Sequence, residues 1–174
     1  MTKTKHNLRL KKGLTLIEIM LAILVMAVVV IGTSGYRYYS ALDARRAQKE
    51  AVAAKIGLLL NESWRGVYGS TAYDPVTQLS GTGLNLQTSG GAGLAGPTGS
   101  GWQTLGSYQI TLDNATYFIT LAYNPAMATD PWNATHKRKG LTTIVAWPIT
   151  TNETNYSTTN YSNLVFTTYV EVGM

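Results

Sequence analysis

Few residues of the 174-residue chain have side chains that commonly carry out catalysis or bind metals. There is no cysteine, and the only histidines are His6 and His136. The absence of cysteine excludes disulfides, thiolate metal sites and cysteine nucleophiles. A zinc site or a Ser-His-Asp triad needs several partners, and the sequence around His136 supplies none of them. We therefore predict that the chain is not an enzyme and holds neither a metal nor an organic cofactor.

Two patterns resemble ligand-binding motifs but lack the context that such motifs need. Residues 91–96 read Gly-Ala-Gly-Leu-Ala-Gly, the glycine spacing of a dinucleotide-binding turn. A helix should follow that turn and an acid should lie about 20 residues further on, but Pro97 follows it and Thr116 occupies the second position. The acids of the C-terminal half are spread out, unlike those of a compact calcium loop. Calcium binding remains an open alternative to a metal-free chain.

The positive charge of the chain is concentrated at its N-terminus. The whole chain has 14 Lys and Arg against 9 Asp and Glu, with a formal net charge of +5. Five of the cations lie within the first 12 residues without an intervening acid: Lys3, Lys5, Arg9, Lys11 and Lys12. The nine remaining cations are matched by the nine acids. Because no basic surface is expected on the folded part, we predict no nucleic-acid partner.

A long apolar segment follows this basic tail. Leu14–Ile31 is 18 residues long and contains a single charge, Glu18. A helix of that length covers about 27 Å, close to the thickness of the hydrocarbon core of a bilayer. Lys and Arg on its N-terminal side favour a cytoplasmic N-terminus. The segment therefore predicts a single-pass membrane helix, with most of the chain on the far side.

A cleaved secretory signal peptide is the alternative reading of this segment. It would have a shorter apolar core and a small-residue cleavage site, for which Gly32–Gly35 could serve. It would not explain Glu18, because a carboxylate inside the membrane costs about 2.5–3.5 kcal/mol. A carboxylate at this depth requires a cationic partner that offsets part of that cost.

The segment Lys11-Lys12-Gly13-Leu14-Thr15-Leu16-Ile17-Glu18 resembles the class III signal of type IV prepilins and type II secretion pseudopilins. The resemblance implies that prepilin peptidase cuts after Gly13, behind the basic leader residues Lys11 and Lys12. It also implies that the new N-terminal residue, Leu14, is N-methylated, although most members have Phe at that position. Glu18 would then pair with the N-terminal ammonium of a neighbouring subunit.

The resemblance further implies a structural role in a filament. The processed chain would be held in the bacterial inner membrane, a lipid bilayer, with its N-terminus cytoplasmic. An inner-membrane assembly platform would join it to other copies or related subunits, in a type IV pilus-like filament in the periplasm or on the cell surface. A minor pseudopilin of a type II secretion system is the alternative within the family. A single-pass membrane-anchored binding protein is the alternative outside it.

This interpretation predicts four regions: a leader at 1–13, a transmembrane and assembly segment at 14–35, an amphipathic helix at 36–64, and a β-rich head at 65–174.

Within the helix, the run Gly32–Gly35 predicts a hinge or a locally melted stretch. The aromatic residues at 36, 38 and 39 are read equally well as a headgroup belt or as contacts with neighbouring subunits. Leu58–Leu60 should pack under the head, and Gly66 and Gly69 should end the helix.

The head shows strand signals in its second half. Residues 80–106 are rich in glycine and predict a long surface loop within a loop-like region 70–106. Four segments predict strands, the first two forming a hairpin: Ser107–Leu112, Thr116–Tyr123, Leu141–Trp147 and Leu164–Val172. Without disulfides the last strand should be central or well covered. The predicted fold is α+β and type IV pilin-like, with a long N-terminal helix packed against a small antiparallel sheet.

Overall fold

The computed structural model describes residues 15–89, 97, 101–130, 133–149 and 161–172, with the backbone alone at 126–130, 133–137 and 172. The predicted leader, cleavage site and methylation site therefore lie outside the described residues, as does most of the glycine-rich segment. The chain divides into two compact units, residues 1–45 and residues 46–174. The long helix contributes to both units.

The long helix, α1, is continuous from Leu16 to Gly66. Gly32–Gly35 is not melted in this structure, since all four residues are helical, and the hinge stays a prediction. The Thr33 hydroxyl donates within the helix to the carbonyl oxygens of Val29 at 2.9 Å and Val30 at 3.1 Å. Two glycines cost roughly 1 kcal/mol each, which the cooperativity of a 51-residue helix can offset.

The C-terminus of α1 closes in a Schellman motif. The Gly69 amide donates to the Trp64 carbonyl at 3.0 Å, and the Tyr68 amide donates to the Arg65 carbonyl at 2.9 Å. The predicted end of the helix is confirmed, because α1 stops at Gly66. The first left-handed position belongs to Tyr68, however, with a φ of 54°, and Gly69 follows with a φ of 63°.

In the part of the chain that the structure describes, five antiparallel strands form one sheet in the order β1-β2-β3-β4-β5. Their bounds are β1 Gln87–Thr88, β2 Gln103–Leu112, β3 Ala115–Asp130, β4 Asn133–Pro148 and β5 Tyr161–Val172. The predicted hairpin is confirmed, and its two-residue turn is Asp113-Asn114 with φ values of 49° and 60°. Positive φ at both central positions is the geometry of a type I′ turn, which Asp and Asn tolerate.

Two expectations for the head are wrong. Residues 70–106 are not all loop, because they hold the short helix α2 at Pro75–Gln78, a 3₁₀ turn at Ser80–Thr82 and strand β1. Asp74 caps α2 by accepting a hydrogen bond from the Val76 amide at 3.1 Å. The last strand, β5, lies at the edge of the sheet rather than in its centre, and it is covered on one face only, where Phe166 packs on α1 and Val170 is buried. Within the described residues β5 pairs along its whole length with β4 alone.

The C-terminal part of α1 packs on one face of this sheet. Ala53, Ile56, Leu60 and Trp64 are buried on that side of the helix. The sheet contributes residues that alternate along β3 and β4 to the same core: Tyr117, Ile119, Leu121, Leu141 and Val145. The expectation for Leu58–Leu60 is therefore confirmed in full only for Leu60, which is buried. Leu58 is 53% exposed on the far side of the helix, whereas Leu59 is 40% exposed at the edge of the packed face, where it lines a groove with Ile56 and Leu84.

Trp64 joins the end of α1 to the chain that follows it. Its indole nitrogen donates to the Ser70 carbonyl at 2.9 Å. Its ring stacks on Tyr73 with centroids 5.9 Å apart and an interplanar angle of 14°. The Lys139 ammonium of β4 donates to the Gly69 carbonyl at 2.7 Å. These contacts hold the exit of the helix against the sheet.

Candidate assembly site at the start of the helix

Glu18 and Thr15 form a reciprocal cap at the first turn of α1. The backbone amide and the hydroxyl of Thr15 both donate to Oε2 of Glu18, at 2.8 and 3.0 Å. The Glu18 amide in turn donates to the Thr15 hydroxyl at 3.4 Å. This is a capping box, in which the residue before the helix and its third residue satisfy each other's amides.

This cap corrects one part of the sequence interpretation. The class III signal predicts only the N-terminal ammonium of a neighbouring subunit as a partner for Glu18. The structure instead directs the carboxylate towards Thr15. The signal that could have revealed this contact is the spacing of Thr15 and Glu18, because Ser or Thr followed three residues later by Glu is the capping-box pattern.

The cap leaves acceptor capacity on the carboxylate. Both Thr15 contacts go to Oε2, whereas an ionised carboxylate offers about four acceptor positions on its two oxygens. The Glu18 side chain is exposed in the single chain. The carboxylate can therefore accept a further charge-assisted hydrogen bond while it keeps its contacts with Thr15.

A continuous apolar surface surrounds this polar site. Every large apolar side chain from Leu16 to Ile31 is at least 46% exposed. The helix contains an 18-residue window with a mean hydropathy of 2.7, and none of that window is buried. By length and composition α1 can cross a membrane, and an exposed apolar surface of this size is typical of contact with lipid or with other chains. The apolar helix is thus consistent with membrane anchoring.

A tyrosine-rich segment follows within the first compact unit. Tyr36, Tyr38 and Tyr39 are 76%, 64% and 68% exposed. The rings of Tyr38 and Tyr39 meet edge to face, with centroids 5.7 Å apart. Both predicted roles, as a headgroup belt and as contacts with other subunits, suit such exposed aromatic rings.

The described residues show little that suits catalysis. Among them, no three His, Asp or Glu side chains are close enough to hold a metal ion. His6 and the side chain of His136 lie outside the described residues. A groove of about 290 Å³ lies between α1 and the β2–β3 turn, with Lys55 and Asp113 as its charged residues. The other residues that line it are apolar: Val52, Ile56, Leu59, Leu84 and Leu112.

Comparison with known proteins identifies one region of the chain. Residues 8–34 match the family model described as the prokaryotic N-terminal methylation motif. Neither the curated proteins nor the solved structures give a significant match to the chain. The matched residues include the end of the basic N-terminal tail, then Gly13 and Leu14, and then the Thr15–Glu18 cap. Residues 8–34 therefore carry the class III signal of type IV pilins and pseudopilins, in a chain of α+β, pilin-like architecture.

Proposed function

We propose that the chain is a structural subunit, a pilin or pseudopilin, of a type IV pilus-like filament. Prepilin peptidase removes residues 1–13, and the new N-terminus at Leu14 is methylated. The subunit is stored in the inner membrane by the first half of α1 with its N-terminus cytoplasmic. The assembly platform then joins it to other copies or related subunits. The observation that carries this proposal is the methylation motif at residues 8–34 on an exposed apolar helix.

Glu18 selects the register between subunits in this proposal. Removal of the leader creates an ammonium at Leu14, four residues before Glu18. A cation and a carboxylate in an apolar environment each carry a large desolvation cost, and pairing them offsets much of it. Within one chain the Glu18 carboxylate is held by Thr15. The ammonium of a neighbouring subunit can approach from the side and satisfy the acceptor capacity that remains.

The mass of the native N-terminus tests processing. The full chain is expressed in a host with prepilin peptidase, and the N-terminal peptide is measured by mass spectrometry. A peptide that begins at methylated Leu14 supports the proposal. A chain that begins near Tyr36 would show a secreted protein with a conventional signal peptide. A chain that keeps residues 1–13 would favour a plain membrane-anchored binding protein.

A matched pair of variants strengthens this experiment. Gly13→Val should block cleavage, because the resemblance places Gly13 at the cut. Lys3→Ala changes the same leader at a distance from the cut and should be processed normally. Whether a processed subunit is a major pilin or a minor pseudopilin follows from its abundance in sheared filaments.

A further inference from the structure

Strand β5 presents an open edge and an exposed face. It is 12 residues long, ends the strand order of the sheet, and pairs only with β4 in the part of the chain that the structure describes. Its outward-facing residues are exposed, and Val165 and Tyr169 are each 56% exposed. An edge strand offers a row of backbone donors and acceptors to an incoming strand.

The composition of β5 favours pairing with a further strand, because β5 lacks the residues that usually prevent such pairing. Residues 161–172 contain no proline, glycine or lysine, and Glu171 is the single charge. Natural edge strands are usually shielded by lysine, proline, bulges or short length. None of these devices occurs within residues 161–172. The segment is instead rich in the β-branched and aromatic residues that stabilise intermolecular sheets.

The sequence of β5 is complementary to itself in one antiparallel register. Directly opposite residues of an antiparallel pair lie on the same face, so a two-fold arrangement must place one residue opposite its own copy. With Thr167 opposite Thr167, Val165 lies opposite Tyr169 of the second copy, and the same contact occurs twice. Pairs of an aromatic and a β-branched residue are among the more favourable cross-strand contacts.

The same register avoids repulsion and uses the polar residues. Glu171 lies opposite Asn163 of the second copy, so the single charge of each strand does not meet its counterpart. Thr167 already shares a hydrogen bond of 3.1 Å with Thr142 of β4. A hydroxyl both donates and accepts, so Thr167 can also bond its own copy. We propose that β5 is a docking edge for a second copy of this chain, through an antiparallel β5–β5 pair centred on Thr167.

The symmetry of this pair limits where it can form. A two-fold axis normal to the sheet reverses every direction in the sheet plane, including that of the part of α1 packed on the sheet. The two heads therefore run in opposite directions. The pair would join two filaments or two detached subunits rather than successive subunits of one filament. Only the filament part of this statement rests on the proposed function, since the pairing depends on β5 alone.

Cysteine cross-linking of the full-length chain in detergent tests the register, because the chain has no native cysteine. Opposite residues of an antiparallel pair have Cα atoms about 4.5–5.5 Å apart, which suits a disulfide. Thr167→Cys should therefore give a covalent dimer on mild oxidation. Asn163→Cys is the matched control on the same exposed face. In this register residue 163 of one copy would lie eight residues, about 27 Å, from residue 163 of the second copy. The Asn163→Cys variant should therefore remain monomeric.

Two further variants complete the experiment. Asn163→Cys combined with Glu171→Cys should restore dimer formation, because the register places these residues opposite each other. Val165→Lys in the Thr167→Cys background should abolish most of the dimer, since a lysine on an edge strand opposes pairing. Equal cross-linking at 163 and 167, or none at 167, would overturn the proposal. Dimer formation that Val165→Lys leaves unchanged would overturn it as well.

Discussion

Phe166 of β5 lies against Gly57 of α1 so closely that a Cβ atom at residue 57 would overlap the aromatic ring. Gly57 is buried in the interior of the helix, where glycine is unfavourable by about 1 kcal/mol relative to alanine. The missing side chain creates a notch that receives the ring of an edge strand. The contact thus joins the end of the chain to the helix at the cost of some helix stability.

Gly57→Ala should destabilise the head although alanine favours the helix. Overpacking a filled site costs about 1–3 kcal/mol, which exceeds the gain in helix propensity. Thermal unfolding of the full chain in detergent, followed by circular dichroism, measures the change. Combination with Phe166→Leu should recover part of the loss, because the smaller side chain vacates the notch. Equal stability of Gly57→Ala and the wild type would remove steric contact with Phe166 from the explanation.

Valine substitutions at two adjacent threonines of β4 should change the stability of the head in opposite directions. The Thr143 hydroxyl is fully buried and has no hydrogen-bond partner among the described residues, whereas the buried Thr142 hydroxyl bonds Thr167. Thr143→Val removes an unsatisfied polar group and should stabilise the head by about 1 kcal/mol. Thr142→Val breaks a hydrogen bond and should destabilise it by about 1 kcal/mol. Urea denaturation of the two variants checks both signs, and a loss of stability in Thr143→Val would contradict the assignment.

The head should lose stability as the pH rises above 10. Burial raises the pKa of Tyr73, Tyr108 and Tyr117 above the usual value of 10.0. A tyrosine whose pKa is higher in the folded state than in the unfolded state contributes fully to stability at pH values below its unfolded-state pKa. That contribution is lost as the pH rises past its folded-state pKa. Burial also lowers the pKa of Lys139 from its usual value of 10.5. This shift alone would make the free energy of unfolding rise, rather than fall, as the pH approaches 10.5.

Tyr73→Phe isolates the tyrosine contribution. The free energy of unfolding of this variant should fall less steeply between pH 10 and 12 than that of the wild type, because one of the buried tyrosines that ionise on unfolding has been removed. Tyr68→Phe, at a position 79% exposed, removes a hydroxyl that faces solvent and is the control. Fluorescence-monitored unfolding at a series of pH values provides the comparison. Parallel curves for the wild type and Tyr73→Phe would show that Tyr73 plays no part in the alkaline transition.

Glu18→Ala should separate membrane storage from assembly. The variant should accumulate in the membrane at least as well as the wild type, because a costly carboxylate has been removed. It should enter filaments poorly, since an incoming ammonium would be left unpaired. Glu18→Gln should be intermediate, because glutamine can still cap the helix with Thr15 but carries no charge. The ratio of sheared filament to membrane-bound subunit measures this effect, and a wild-type ratio in Glu18→Ala would exclude the proposed register role.

The local features of the chain follow from its sequence alone. The apolar run after a basic tail, the Gly13-Leu14 and Glu18 spacing, and the alternating strands of the head are short-range patterns. Each depends on contacts between residues close in the chain, or on the bilayer as a solvent. The helix, the hairpin at Asp113-Asn114 and the class III signal could therefore be predicted. The Thr15–Glu18 cap is equally local, and its spacing was sufficient to predict it.

Tertiary structure alone decided which surfaces meet. Leu58, Leu59 and Leu60 are chemically equivalent in sequence, but only Leu60 is buried against the sheet, whereas Leu58 and Leu59 are 53% and 40% exposed. The edge position of β5 and the notch at Gly57 depend on the order of strands and on contacts between residues more than 100 positions apart. Periodicity identifies an apolar side of an element but not its partner, because burial depends on the packing of all elements together. That packing places Phe166 over Gly57 and leaves the outer face of β5 open.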